Sequence, residues 1–243
     1  MARHITSFDF PELKVINGKY RIISKLGGGW EGEVYKVEEI STGIIRAAKF
    51  FLPIRNKNNI NARRYAKKLH KLRSCSILIQ YFTQETMMFK DEKVTYLISD
   101  YVEGETLTVF LKNFRGNKLA PYQALHLLHA LVRGLEKIHA FREYHGDLHS
   151  DNVIIQRYGL GFQVKILDLF HWGTPKSQDF KDDLVDVIRL FYDVLGGPKT
   201  YKDMPSEVKE IVCGLKKGII TSRFKNMSQL RIHLENMSWS VYK

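Results

Sequence analysis

The stretch that most constrains this chain is His145-Gly146-Asp147-Leu148-His149-Ser150-Asp151-Asn152. An apolar run, Val153-Ile154-Ile155, follows it, and Asp168 comes sixteen residues after Asn152 inside Ile166-Leu167-Asp168-Leu169-Phe170. The local reading is a polar loop, a strand, a turn and a second strand ending on an acid. Asp147, Asn152 and Asp168 are spaced across these pieces. An aspartate can accept a hydroxyl proton. An asparagine and a second aspartate supply hard oxygen ligands, which suit Mg²⁺ better than any softer metal. Orienting an attacking oxygen and holding the ions that neutralise phosphates is what phosphoryl transfer asks of a protein.

Far upstream, Tyr20 to Leu26 reads as a strand, and Gly27-Gly28-Gly29-Trp30-Glu31-Gly32-Glu33 leads into a second strand, Val34 to Val37. Glycine lets backbone N–H groups approach phosphate oxygens with no Cβ in the way. A dinucleotide site would need a helix after the glycines, and the β-branched and aromatic residues here favour a strand. Trp30 sits at the expected tip. Ile44 to Phe51 is a third strand carrying Lys49. Asn61 to Arg73 has helical spacing. Glu85–Lys93 and Val94–Tyr101 read as a hairpin around Lys90 to Lys93. After Gly104 the period becomes helical, over Glu105–Phe114 and Pro121–Phe141, with Leu125, Leu128, Leu131, Val132, Leu135 and Ile138 as the buried stripe. His126, His129 and His139 in that region lack metal-ligand spacing and read as packing or surface residues. A hairpin is expected over Gln156–Val164, with Gly159 and Gly161 at its turn. A helix over Asp182–Leu195 should follow His171–Lys181, and two more helices should fill Pro205–Trp239, the last opened by Arg223-Phe224.

The chain of 243 residues holds no apolar run long enough to span a membrane, and Met1-Ala2-Arg3-His4 does not begin a signal peptide. Two cysteines, Cys75 and Cys213, make no disulfide framework. The net charge is +12, and Phe50 to Gln84 contains eight Lys or Arg residues and no acid. Such a block can meet phosphates, acidic proteins or an anionic surface.

These pieces resemble the protein-kinase-like superfamily. His145 to Asn152 and Asp168-Leu169-Phe170 are similar to its H-R-D-x-x-x-x-N and D-F-G motifs. Gly27, Gly29, Gly32 and Val34 fit its G-x-G-x-x-G-x-V loop, and Lys49 aligns with its V-A-I-K lysine. The likeness runs from about Tyr20 to Leu234. It implies an α+β, bilobal protein-kinase-like fold. A small antiparallel-sheet N-lobe with one helix would cover 1–100 and a mainly helical C-lobe 101–243, the whole of 1–243 forming a single kinase-like domain.

By that resemblance the catalytic residues are Asp147, Lys49 and His149. ATP would be held by Gly27, Gly29, Gly32, Val34, Lys49 and the backbone of Asp100 and Val102, with Ser99 at the rear of the adenine pocket. Mg²⁺ would be held by Asn152 and Asp168. Asp183 resembles the buried aspartate that anchors the catalytic loop. Four departures stand out. No acid lies between Lys49 and Glu85, so the family's lysine–glutamate pair cannot form in its usual way, and either Asp168 or an acid from elsewhere must steady Lys49. Gly146 replaces the arginine that senses activation-loop phosphate. His149 replaces the usual lysine, as in the aminoglycoside and choline kinase branch. The segment after Asp168 is short and lacks Ala-Pro-Glu, which also deprives Arg223 of its usual partner; Thr174 and Ser177 are the hydroxyls in it.

The expected activity is ATP- and Mg-dependent transfer of phosphate to Ser/Thr hydroxyls of proteins, by a compact eukaryotic-like kinase of bacterial or effector type. Alternatives are a small-molecule hydroxyl kinase, or a weak or inactive pseudokinase serving as a nucleotide- and partner-binding module. Expected partners are ATP, a protein substrate and an acidic partner at the basic 55–73 helix; nucleic acid is not expected. The expected location is the cytoplasm, or a host cytosol for a secreted effector.

Overall fold

In this computed structural model the described residues are 4–158, 161–170 and 173–238. Met1-Ala2-Arg3, Gly159, His171 and Trp239, which enter the sequence reading, lie outside them. The described residues fall into two units. One takes the chain up to Ser74 together with Leu78–Val102; the other takes Cys75–Ile77 and the chain from Glu103 onward.

The first unit is built on an antiparallel sheet of β1 (Val15–Ile16), β2 (Tyr20–Gly28), β3 (Gly32–Glu39), β4 (Ile44–Phe51), β5 (Tyr81–Phe89) and β6 (Glu92–Asp100), in spatial order β1-β2-β3-β4-β6-β5. One α-helix, α1 (Ile60–Lys71), joins β4 to β5 after two single turns. Side chains alternate across a strand, and Tyr20 and Ile22, Tyr35 and Val37, Ala48 and Phe50, and Val94, Tyr96 and Ile98 fall at period two into one buried cluster. The rings of Phe50 and Tyr96 stack at 4.8 Å, and Phe10 meets Phe50 edge-on at 5.0 Å. Ile5, Phe8 and Phe10 complete this cluster, a role the sequence reading did not assign to them. The segment is pinned by the Phe10 N–H, which donates to the Tyr35 hydroxyl at 3.1 Å. Tyr35 in turn donates to the buried Glu33 carboxylate, which pairs with Lys25 at 2.9 Å. Burial and the Glu33 contact push the Tyr35 hydroxyl up to about 12. The β5–β6 hairpin turns on Lys90 and Asp91, both left-handed at φ 49° and 64°, as a two-residue turn between twisted strands requires.

The second unit contains β7 (Glu105–Thr106), α2 (Leu107–Leu111), α3 (Pro121–Ala140), β8 (Val153–Tyr158), β9 (Gly161–Ile166), α4 (Ser177–Val194), α5 (Ser206–Val212), α6 (Lys217–Arg223) and α7 (Met227–Asn236). Strands β7, β8 and β9 make a small sheet in that order. Helix α3 is its spine: all six stripe residues are buried, and it packs against α4, α7 and β9. Among the described residues no helix is long and apolar enough to cross a membrane.

Several expected boundaries move. The helix expected over Glu105–Phe114 shrinks to α2, because Glu105 and Thr106 pair as a strand with Ile155 and Ile154. The first strand of the β5–β6 hairpin begins at Tyr81 rather than Glu85. Helix α4 starts at Ser177, five residues before the expected Asp182, and the Asp179 carboxylate in its first turn accepts the Lys176 N–H at 2.6 Å. The two expected closing helices are three. Cys213, Gly214 and Leu215 all adopt left-handed φ, of 52°, 59° and 56°, which breaks the run between α5 and α6. Arg223 therefore ends α6 instead of opening the last helix. Within the basic block, Lys68 is buried on α1.

Within the second unit, Ile77 lies directly against α3. The Ile166 N–H donates to the Ile77 carbonyl at 2.9 Å, and a Cβ at Gly134 would come within 2.1 Å of Ile77 Cδ1 and 2.9 Å of its Cβ. Alanine in a helix interior normally stabilises relative to glycine by about 1 kcal/mol. Here the overlap should reverse that sign: Gly134→Ala is expected to destabilise by about 1–3 kcal/mol, the usual range for overpacking, as measured by denaturant unfolding.

Candidate active site

The register of the first unit's sheet arranges the glycine-rich turn around Lys49. Lys49 faces Val34 across β3–β4, and Val34 faces Gly27 across β2–β3. Gly32 faces Phe51, where a Cβ would stand 1.9 Å from the Phe50 carbonyl oxygen, so only glycine allows the strands to meet there. The turn is closed by the Gly29 N–H on the Gly32 carbonyl and tied to the end of β4 by the Leu52 N–H on the Glu31 carbonyl, both at 2.9 Å. Open space surrounds the α-carbons of Gly27 and Gly29 on the side where a Cβ would stand.

An acid of this turn meets Lys49. Glu31 Oε2 lies 3.3 Å from Lys49 Nζ, with the two side chains only 18% and 15% exposed. Helix α1 presents Tyr65 instead of a carboxylate, with the Lys49 ammonium 4.7 Å from the ring centroid. Arg55 sits 4.6 Å from the ring of Trp30, the residue at the exposed tip. At the end of β6, Ser99 is buried and the Asp100 N–H donates to the Gln80 carbonyl at 2.9 Å; Tyr101 and Val102 leave the sheet without regular structure.

In the second unit, a fully buried carboxylate organises the 145–152 loop. Asp183 Oδ2 accepts the His145 N–H at 2.7 Å, and Oδ1 accepts the Gly146 N–H at 2.8 Å. His139 Nε2 is 2.9 Å from Oδ2, a contact the sequence reading missed when it set His139 aside as packing. The buried His145 ring continues the network. Its Nε2 meets the Leu167 carbonyl at 2.8 Å and its Nδ1 takes the Asp147 N–H at 3.2 Å, which requires the neutral Nε2–H tautomer. The Phe170 N–H returns to the His145 carbonyl at 2.7 Å. Asp168, between these two ties, holds a left-handed φ of 52°. Asparagine and aspartate tolerate that region better than most residues, and such backbone settings concentrate at functional sites.

Asn152 and Asp168 are brought to one end of the β8–β9 hairpin, since Val153 faces Ile166 and the Leu167 N–H donates to the Asn152 carbonyl at 2.8 Å. The Asn152 amide nitrogen donates to the Asp147 carbonyl at 2.9 Å and to Asp147 Oδ2 at 3.3 Å. With both amide protons engaged, Oδ1 is turned away from these partners as an oxygen donor. Asp147 and His149 are exposed, at 60% and 48% of their side chains, and 3.7 Å apart. Among the described residues no three His, Cys, Asp or Glu side chains cluster as metal ligands. Mg²⁺ is commonly bound through one or two side chains with phosphates and waters completing its shell, so Asn152 and Asp168 fit that ion as a partial ligand set.

The protein kinase domain family matches residues 20–181. The chain belongs to the protein kinase family. Its α+β architecture, an antiparallel sheet with one helix in the first unit and a mainly helical second unit, is that of the family's bilobal fold. It is similar to serine/threonine-protein kinase pkn2 of Myxococcus xanthus, with 29% identity over 65% of this chain and 18% of that protein. Against serine/threonine-protein kinase PrkC of Bacillus subtilis the identity is 27%, over 64% of this chain and 23% of that protein. The chain thus spans about a fifth of the length of these two relatives. It matches another Bacillus subtilis protein, the probable serine/threonine-protein kinase YbdM, at 24% identity over 93% of this chain and 92% of that protein.

Within this kinase domain two family contacts are supplied from new places. The helix glutamate is absent, and Glu31 and Tyr65 meet Lys49 instead. Sequence offered one signal for Glu31, a carboxylate inside a glycine-rich turn whose strands bracket Lys49. Arg223 pairs with Glu210 of α5 at 2.6 Å, in place of the missing Ala-Pro-Glu glutamate.

Removing the Asp183 carboxylate would strand the buried His145 N–H and the part-buried Gly146 N–H. Asp183→Ala is expected to cost about 3–5 kcal/mol, as for other broken buried charge networks, and to lower Tm on the order of 10 °C. One turn along α4, burial pushes the Asp186 carboxyl up to about 6; Arg189 opposes this, and the carboxylates of Asp183, Asp182 and Asp147 add to it. A folded pKa above the ordinary 3.8 means that ionisation opposes folding, so this contribution to stability is present near pH 4 and lost as pH rises through about 6. Asp186→Asn should therefore raise Tm relative to wild type at about pH 8, with the difference closing towards about pH 4 in a melting series.

Proposed function

We propose that the chain is a single catalytic domain over 1–243 that transfers the γ-phosphate of Mg-ATP to serine or threonine hydroxyls of proteins. The observation that carries this reading is the loop fixed by Asp183, on which Asp147 stands exposed beside Asn152 while the β8–β9 hairpin holds Asp168 at the same end. The serine/threonine-protein kinase names of the relatives support the acceptor class.

In this reading Asp147 orients the acceptor hydroxyl and takes its proton. The backbone of Gly27, Gly29 and Gly32 lets phosphates approach closely, the Gly29 N–H itself being held by the Gly32 carbonyl; Val34 covers the base and Lys49 meets the α- and β-phosphates. The backbone of Asp100 and Val102 reads the adenine edge. Asn152 Oδ1 and the Asp168 carboxylate hold Mg²⁺, which when bound neutralises phosphate charge. His149, whose Nε2 lies 3.7 Å from Asp147 Oδ2, stands within reach of a transferring phosphoryl group. The catalytic work is positioning and charge stabilisation rather than covalent chemistry. The exposed basic residues from Arg55 to Arg73 suit an acidic partner, and a cytoplasmic location belongs to the same proposal.

A second reading, transfer to a small-molecule hydroxyl, is favoured by the nine-residue step from Asp168 to the start of α4 and by His149 at its position in the loop. Incubation with labelled ATP and Mg²⁺ separates the two. Label on a general protein acceptor, or on the chain itself, is expected. Label confined to small molecules of an extract selects the second reading, and no turnover with ATP still raising Tm selects a binding module. Asp147→Ala and Asp168→Ala are expected to abolish transfer, and Lys49→Ala to lower it at least about a hundredfold. Unchanged rates in these variants would remove the site assignment.

A further inference from the structure

The acid that a kinase domain normally places on the helix beside its β4 lysine is not on α1, and a carboxylate of the glycine-rich turn meets Lys49. We infer that Glu31, inside the glycine-rich turn, and Tyr65, on α1, act together as the positioning residues of Lys49, replacing the missing helix carboxylate. The inference rests on the kinase reading above and adds to it the way its phosphate-binding lysine is steadied.

Four observations carry it. The Glu31 carboxylate is 3.3 Å from the Lys49 ammonium, and both side chains are mostly removed from solvent. Such a pair is screened less than a surface one, and stripping its acid takes a close counter-charge from a largely buried cation. The turn that carries Glu31 is fixed rather than dangling: the Leu52 N–H holds the Glu31 carbonyl at 2.9 Å, the Gly29 N–H holds Gly32, and Arg55 lies over Trp30. The Tyr65 ring, buried on the inner face of α1, stands 4.7 Å from the same ammonium, within the range where a ring face attracts a cation. Finally, no acidic residue occurs from Phe50 to Gln84, so α1 has no carboxylate of its own to offer.

A rival role uses the same contact with the opposite sign. Glu31 would then occupy the place of a phosphate on Lys49, and nucleotide would have to displace it. The two roles part on removing the charge. If Glu31 positions Lys49, its loss weakens nucleotide binding and slows transfer; if it blocks Lys49, its loss improves both.

The test compares wild type, Glu31→Gln, Glu31→Asp, Tyr65→Leu and the double variant Glu31→Gln/Tyr65→Glu. Two readouts run in parallel: transfer to a general protein acceptor with Mg-ATP, and binding of ADP with Mg²⁺ by calorimetry. Glu31→Gln is expected to lower kcat on the order of tenfold to a hundredfold, the usual consequence of a misplaced catalytic group, and to weaken ADP binding. Glu31→Asp should keep most of the activity, because the charge remains. The double variant should recover much of the loss, because it returns a carboxylate to the helix side of Lys49. Tyr65→Leu, which fills similar space without a ring face, should lose roughly two- to tenfold in kcat. Glu31→Gln binding ADP as well as or better than wild type, or transferring as fast, overturns the proposal. If wild type transfers no phosphate, the kinase reading fails on its own, and the ADP affinities still decide the role of Glu31. If Glu31→Gln melts too low to be read, an unchanged Tyr65→Leu overturns the proposal.

Discussion

The second unit depends on a carboxylate that water never reaches. A buried charge is tolerated only when its lone pairs are filled, and Asp183 fills them with the N–H groups of His145 and Gly146 and with His139 Nε2. The His145 donor fixes more along the chain. The His145 backbone sets its ring, the ring sets the Leu167 carbonyl and the Asp147 N–H, and the Phe170 N–H closes back on His145. The loop and the segment after β9 are therefore one hydrogen-bonded object. Asp147, Asn152 and Asp168 are displayed on it while its polar interior stays satisfied. The left-handed backbone of Asp168 persists because the ties on either side of it over-determine the turn.

The first unit solves a different electrostatic problem. A lysine at the middle of a sheet needs a counter-charge, and the family's usual source is the neighbouring helix. Here the counter-charge has moved to the glycine-rich turn as Glu31, and Tyr65 gives the ammonium a ring face on the helix side. With that duty removed, α1 is free to carry one kind of charge only. Its inner face is Asn61, Ala62, Tyr65, Ala66, Lys68 and Leu69, and its outer face holds Arg63, Arg64, Lys67 and Lys71. The absence of acid from α1 and the presence of acid in the turn belong to one redistribution of charge.

What could be read from the sequence follows the range of the interactions involved. The α3 stripe, the Ile44–Phe51 strand, a hairpin turning within Lys90–Lys93 and the loop–hairpin order from Asp147 to Asp168 are set by periodicity and turn chemistry within a few residues. All of them appear in the structure. Contacts that join distant segments left weaker traces. Phe8 and Phe10 fill the sheet's aromatic cluster from a stretch with no periodic pattern, and His139 reaches Asp183 across 44 residues. Glu105 and Thr106 looked helical because only their pairing with Ile154 and Ile155 makes them a strand. The break after Val212 was hidden because Cys213 and Leu215, which seldom take left-handed φ, do so beside Gly214.

The shortness of the segment after Asp168 bears on how an acceptor is chosen. In the family, a longer segment ending in Ala-Pro-Glu builds a shelf for peptides, and an arginine near the C-terminus locks that shelf through the glutamate. Here α4 begins at Ser177, and Arg223 is locked instead to Glu210 within the α5–α6 pair. The side chains of Arg223 and Glu210 are 39% and 53% exposed, so this pair contributes little to stability. Acceptor choice in the proposed reaction then falls to the exposed loop around Asp147 and His149 and to charged surface elsewhere, with the basic run from Arg55 to Arg73 as the largest such feature in the sequence.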